Sequence, residues 1–156
     1  LLFVIDPKKY PPLDLPVFDA KVRIINEVIH IHDDFRMKYV VLTPEEWVRQ
    51  HFAHFLVDHL GYPKGRMQLE YELKYHGRKK RPDIGFMDRD GVPHILVECK
   101  SPDIALNEDV FLQIATYYSI SGSRFLVLTN GLKHVYAEVQ PFEPRIVYIS
   151  DLPVFQ

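Results

Sequence analysis

Apolar and polar positions change period several times along the chain, and each change predicts an element. Residues 20–25 and 28–32 read as two strands turning at Asn26-Glu27, with His30 and His32 on one face of the second. Thr43-Pro44-Glu45-Glu46 is a helix start. Thr43 caps, Pro44 suits the first turn, and Glu46 completes a capping box. The helix is expected to reach about Leu60, where Gly61 stops it, with Val48, Phe52, Phe55, Leu56 and His59 as its apolar face. Glu45 shares that face and so points toward the core or a site. Met67 to Tyr75 alternates as one strand. A second helix, capped by Asn107 or Asp103, runs to about Ser119 with Val110, Phe111, Ile114, Ala115 and Tyr118 inward. Arg124 to Leu128 is a buried strand, and the helix before it makes it parallel to the strand before that helix. Lys133 to Val139 is a further strand.

The most informative stretch runs from Arg81-Pro82-Asp83 to Glu98-Cys99-Lys100. Two apolar runs flank Asp88-Arg89-Asp90-Gly91, which predicts a β-hairpin with Gly91 at positive φ. Alternation on the second strand puts Ile95, Val97 and Cys99 on one face and Leu96, Glu98 and Lys100 on the other. An interior strand thus carries a carboxylate and an ammonium side by side, which is costly unless they are compensated. Asp83 completes the group across the hairpin. Two carboxylates and a lysine at a sheet edge suit a divalent cation such as Mg²⁺, which takes hard oxygen ligands and activates a bound water. The bland alternative is a structural Glu98–Lys100 ion pair.

Composition narrows the class. The 156 residues suffice for one domain with its own core, and 47% are hydrophobic, so disorder is not expected. A formal net charge of −2 supplies no global attraction for nucleic acid, so any such binding needs a local patch. His76-Gly77-Arg78-Lys79-Lys80-Arg81 is the one concentrated basic run, directly before Asp83. A single cysteine excludes an internal disulfide and suits a reducing, cytoplasmic setting. No apolar run is long enough to span a membrane. No Gly-x-x-x-x-Gly-Lys-Ser/Thr loop is present for an ATP-driven motor. His30 and His32 lack a third ligand and are expected to make ordinary hydrogen bonds. The prolines at 7, 11, 12 and 16 mark residues 1–19 as an extended arm, residues 20–140 form the domain, and residues 141–156 a C-terminal extension packed on it.

Pro82-Asp83 followed by Glu98-Cys99-Lys100 resembles the PD-(D/E)xK nuclease signature. The run from Thr43-Pro44-Glu45-Glu46-Trp47-Val48-Arg49-Gln50 to Thr129-Asn130-Gly131 is similar to the N-terminal nuclease domain of type I restriction enzyme R subunits. The resemblance implies an α/β fold, a restriction-endonuclease-like core with a central mixed β-sheet flanked by helices. It implies metal ligation by Asp83 and Glu98, with a glutamate from the first helix, Glu45 rather than Glu46, as a third ligand. Lys100 is then the residue acting on water. Gln113 and Tyr117 resemble the Gln-x-x-x-Tyr motif that follows the lysine strand in RecB-like nucleases and supports the site or the DNA. The implied activity is Mg²⁺-dependent cleavage of DNA, with Mn²⁺ as a substitute ion. Arg78, Lys79, Lys80 and Arg81 would hold phosphates, and motor or specificity subunits would be other chains. A catalytically inactive nucleic-acid-binding or assembly module on the same fold is the alternative.

Overall fold

The computed structural model describes residues 5–75, 77–119, 121–141 and 145–156. The first residues of the arm, His76 of the basic run and residues 142–144 of the C-terminal extension therefore lie outside the described residues, as do the side chains of Arg78 and Tyr117.

Three strands, β1 (Val22–Ile25), β2 (Val28–Asp33) and β3 (Lys38–Val41), form an antiparallel meander. Asn26 and Glu27 both take positive φ, which gives the tight turn expected between the first two. The sequence reading missed β3, which is only four residues long.

Helix α1 (Pro44–His54) starts where expected, with Thr43 Oγ1 accepting from Glu46 N at 3.0 Å. It passes into a π-helical turn, Phe55–His59, before Gly61 at φ 80°. The wider turn rotates the residues beyond His54, so His59 is exposed instead of continuing the apolar face. The capping box is only half formed. The Glu46 side chain turns inward to Arg36 and Arg49, whose charges are stronger partners than a backbone amide.

A six-stranded sheet carries the rest. Its strands are β4 (Met67–Leu69), β7 (Ile84–Met87), β8 (Pro93–Cys99), β9 (Phe125–Thr129), β10 (His134–Gln140) and β11 (Arg145–Ile149). The order is β11-β10-β9-β8-β7-β4, with β8 and β9 parallel and the other neighbours antiparallel. Helix α2 (Glu108–Ser119), capped by Asn107 Oδ1 on Val110 N, connects the parallel pair. This is the expected central mixed sheet flanked by helices. β11, which falls within the expected C-terminal extension, is an integral edge strand of that sheet.

The predicted strand from Met67 to Tyr75 is broken. Glu70 sits at φ 54°, and β5 (Leu73–Tyr75) leaves the main sheet to pair with β6 (Arg78–Lys80). Arg78, Lys79 and Lys80 of the basic run therefore form one strand of a small hairpin.

Alternation on β8 sorts the core into two layers. Ile95, Val97 and Cys99 meet Val48 and Phe52 of α1 and Leu56 of the π-helical turn. Leu96, with Leu126 and Leu128 of β9, meets Phe111, Ile114, Ala115 and Tyr118 of α2. Leu13 and Leu15 of the arm pack on the first layer, and Asp14 N donates to Gly131 O at 2.8 Å. At Gly131, φ is 84°, a conformation that favours glycine, and a Cβ there would stand 2.7 Å from a Leu13 methyl.

Candidate active site

The ends of β7 and β8 bring Asp83 and Glu98 together. Ile84 pairs with Val97, so Asp83 lies one residue beyond that pair, opposite Glu98. Asp83 is buried and both its oxygens are engaged. Arg49, from α1, donates to Oδ1 through Nε at 3.2 Å and Nη2 at 2.5 Å. Cys99 N donates to Oδ2 at 2.7 Å. The Asp83 carbonyl accepts from Glu70 N at 3.0 Å.

Glu98 lies on the α2 side. Its Oε2 accepts from the Tyr118 hydroxyl at 2.7 Å, and Lys100 Nζ stands 3.7 Å from Oε1. Burial pushes the Glu98 carboxyl up from its usual range, and the charge of Asp83 pushes it further. Tyr118, Lys100 and Lys80 oppose that shift without cancelling it. Glu45 is also raised, by burial first and by Asp83 second. The same two causes at two separate carboxylates mark one anionic locus, centred on Asp83.

The cationic side is equally defined. Burial alone would lower the Arg49 guanidinium, but Asp83 and Glu46 more than offset it and hold the group charged. Glu46 Oε1 accepts from Arg49 Nη1 and from Arg36 Nη2, each at 2.8 Å, and Glu46 Oε2 from Gln50 Nε2 at 3.1 Å. Arg36 in turn contacts the fully buried Asp33 and donates to Glu70 Oε2 at 2.9 Å. Lys80 Nζ lies 5.7 Å from the Tyr118 ring centroid, which brings part of β6 to the Glu98 side.

The other sequence-selected residues distribute unevenly. Glu45 is half-exposed, 3.8 Å from Arg49 Nη2. Gln113 is exposed on α2, and among the described residues it makes no hydrogen bond to the carboxylates. Lys79 is exposed and lies 3.3 Å from Glu72, and Arg81 is exposed. His30 bonds Val28 O, and His32 bonds Asp34, as ordinary histidines do. Among the described residues, no three His, Cys, Asp or Glu side chains are gathered closely enough to hold a metal ion as they stand. None of the described helices is long and apolar enough to cross a membrane.

Sequence reasoning missed Arg49 and Tyr118 as members of the site. Both left a signal. A buried Asp83 needs a counter-charge, and Arg49 falls four residues after Glu45 on the helix that faces it. A tyrosine in a core stripe needs a partner for its hydroxyl.

Comparison with known proteins adds the family. The family model described as type I restriction enzyme R protein N terminus (HSDR_N) matches residues 44–153. No curated protein matches the chain. A crystal structure of a DUF820 protein from Anabaena variabilis ATCC 29413 superposes with a TM-score of 0.46 at 12% identity, over 88% of this chain and 80% of its own.

Proposed function

The chain belongs to the type I restriction enzyme R protein N-terminus family, and from that membership we propose a nuclease domain that hydrolyses DNA phosphodiester bonds with Mg²⁺, or Mn²⁺ in its place. The observation that carries the reading is the locus itself: Asp83 and Glu98 on adjacent strand ends, mutually repelling, with Lys100 Nζ 3.7 Å from Glu98. The donor chemistry suits a hard dication. All donors are carboxylate oxygens, and Glu98 Oε1 accepts no described hydrogen bond.

Asp83 and Glu98 would hold the ion, with Glu45 as third donor. Such an ion lowers the pKa of a bound water and offsets phosphate charge. Lys100, one-third exposed, orients the attacking water or holds a phosphate oxygen. Tyr118 and Arg49 fix the directions of the two carboxylates. Gln113 and Tyr117 support the site or the DNA strand from α2. Arg78, Lys79, Lys80 and Arg81 supply phosphate contacts without base reading. Motor and specificity subunits are the partners this reading implies, and the cytoplasm its setting.

One observation favours a second reading, a nucleic-acid-binding or assembly module without catalysis. Both Asp83 oxygens already have partners. A thermal titration separates the two. Mn²⁺ raises the melting temperature of the parent by mass action, and Asp83→Asn loses that rise because an amide brings no negative charge. A parent indifferent to Mn²⁺ and Mg²⁺ supports the module reading instead.

A further inference from the structure

Arg49 has two partners in hand and two further carboxylates within reach, Glu70 and, 3.8 Å from Nη2, the proposed ion ligand Glu45. Its Nε and Nη2 hold Asp83, and Nη1 holds Glu46 at 2.8 Å. That same Nη1 is 3.6 Å from Glu70 Oε1, beyond hydrogen-bond length. The Glu70 side chain is 45% exposed, against 9% for Arg49. Glu70 is also held in place by its surroundings. Its backbone is in the left-handed region at φ 54°, its N–H donates to the Asp83 carbonyl, and its Oε2 accepts from Arg36. A non-glycine residue at such a φ persists only where surrounding contacts enforce it.

A divalent ion at Asp83 would bring new positive charge against a guanidinium that cannot give up its proton. Arg49 must then share or leave Asp83 Oδ1. Glu46 keeps it tethered, and Glu70 is the nearest carboxylate not yet bonded to it. We infer that Arg49 and Glu70 are positioning residues for the ion: Arg49 orients Asp83 in the ion-free protein and moves to Glu70 as the ion takes Asp83. This inference rests on the nuclease reading above. It makes ion affinity a balance between two acids competing for one arginine.

The test is calorimetric titration of Mn²⁺ into the intact chain. Glu70→Gln should weaken binding by about fivefold or more, because the arginine loses its alternative. Arg49→Met should tighten binding by a similar factor, because the competing cation is gone. In the Arg49→Met background Glu70→Gln should change nothing. Glu72→Gln, which removes a nearby half-buried acid paired with Lys79, is the charge control and should leave affinity close to the parent's. If Glu70→Gln has no effect, or no more than Glu72→Gln, the transfer is overturned. If Glu70→Gln weakens binding equally without Arg49, Glu70 is itself a ligand and the transfer is again overturned. Should Arg49→Met fail to fold, Arg49→Gln, which also removes the charge but keeps a polar end, takes its place in the same comparison. A parent that takes up no Mn²⁺ contradicts the nuclease reading itself, and the transfer falls with it.

Discussion

The Tyr118 hydroxyl donates to Glu98 Oε2 at 2.7 Å, joining α2 to the end of β8. The bond favours the charged carboxylate and partly counters the upward push from burial and Asp83. Tyr118→Phe should therefore raise the Glu98 pKa further, as read by carbonyl NMR titration in ion-free protein. The sign for stability follows. The folded state holds the Glu98 proton more tightly than the unfolded chain, so this carboxyl's contribution is fully present below the ordinary Glu range. It is lost as pH rises through the raised value. A Glu98 that titrates lower in Tyr118→Phe would contradict this account.

Asp33 behaves in the opposite sense. It is fully buried and accepts from Phe35 N at 2.7 Å, Arg36 N at 2.8 Å and the Arg36 side chain. Burial pushes its carboxyl up, but those hydrogen bonds and the Arg36 charge bring it below the usual range. Its contribution is present above the unfolded pKa and disappears as pH falls through the folded one. Asp33→Ala should cost about 3 kcal/mol in urea unfolding, since it leaves the Phe35 and Arg36 backbone N–H groups without their acceptor and removes one of the three carboxylates around Arg36. A loss below roughly 1 kcal/mol would mean the pair is not holding the loop before β3.

Cys99 is fully buried on the α1 face, and burial pushes its thiol well up. The site uses its backbone N–H, not its sulfur. Cys99→Ala should keep the metal response and lose about 1 kcal/mol or somewhat more to the cavity. A thiol reagent should label Cys99 only on unfolding. Rapid labelling of folded protein would overturn its placement in the core.

Lys79, on β6, and Arg81, two residues before Asp83, are exposed cations. Replacing both with alanine should reduce the slope of log affinity for duplex DNA against log salt by roughly 0.9 per lost phosphate contact. Sequence preference should not change. An unchanged slope would show that β6 faces solvent when DNA binds.

Elements with strong local signals were legible in the sequence. The Thr43 cap, the hairpin turning at Gly91, and the parallel strand after α2 all follow from residue chemistry within a few positions. The alternation that puts Glu98 and Cys99 on opposite faces of β8 was equally readable. What was not legible depends on contacts distant in sequence. Arg49 meets Asp83 across 34 residues, and no periodicity encodes that pairing. Glu46 looked like a cap because nothing local announces Arg36, ten residues earlier, as its partner. The break at Glu70 was hidden because alternation continues through it. The left-handed backbone there is held by Asp83, and its side chain by Arg36.

Plasmid nicking tests most directly the proposal that Asp83, Glu98 and Lys100 cut DNA. Supercoiled DNA is incubated with Mn²⁺ and either the parent or Lys100→Met, which keeps the aliphatic stem and removes the ammonium. The parent should nick the plasmid, and Lys100→Met should lose about a hundredfold or more of that rate, the scale of a lost acid–base group. Its Mn²⁺ binding should be equal or tighter, because a positive charge beside the ion has gone. Nicking by Lys100→Met at the parent rate would contradict the account.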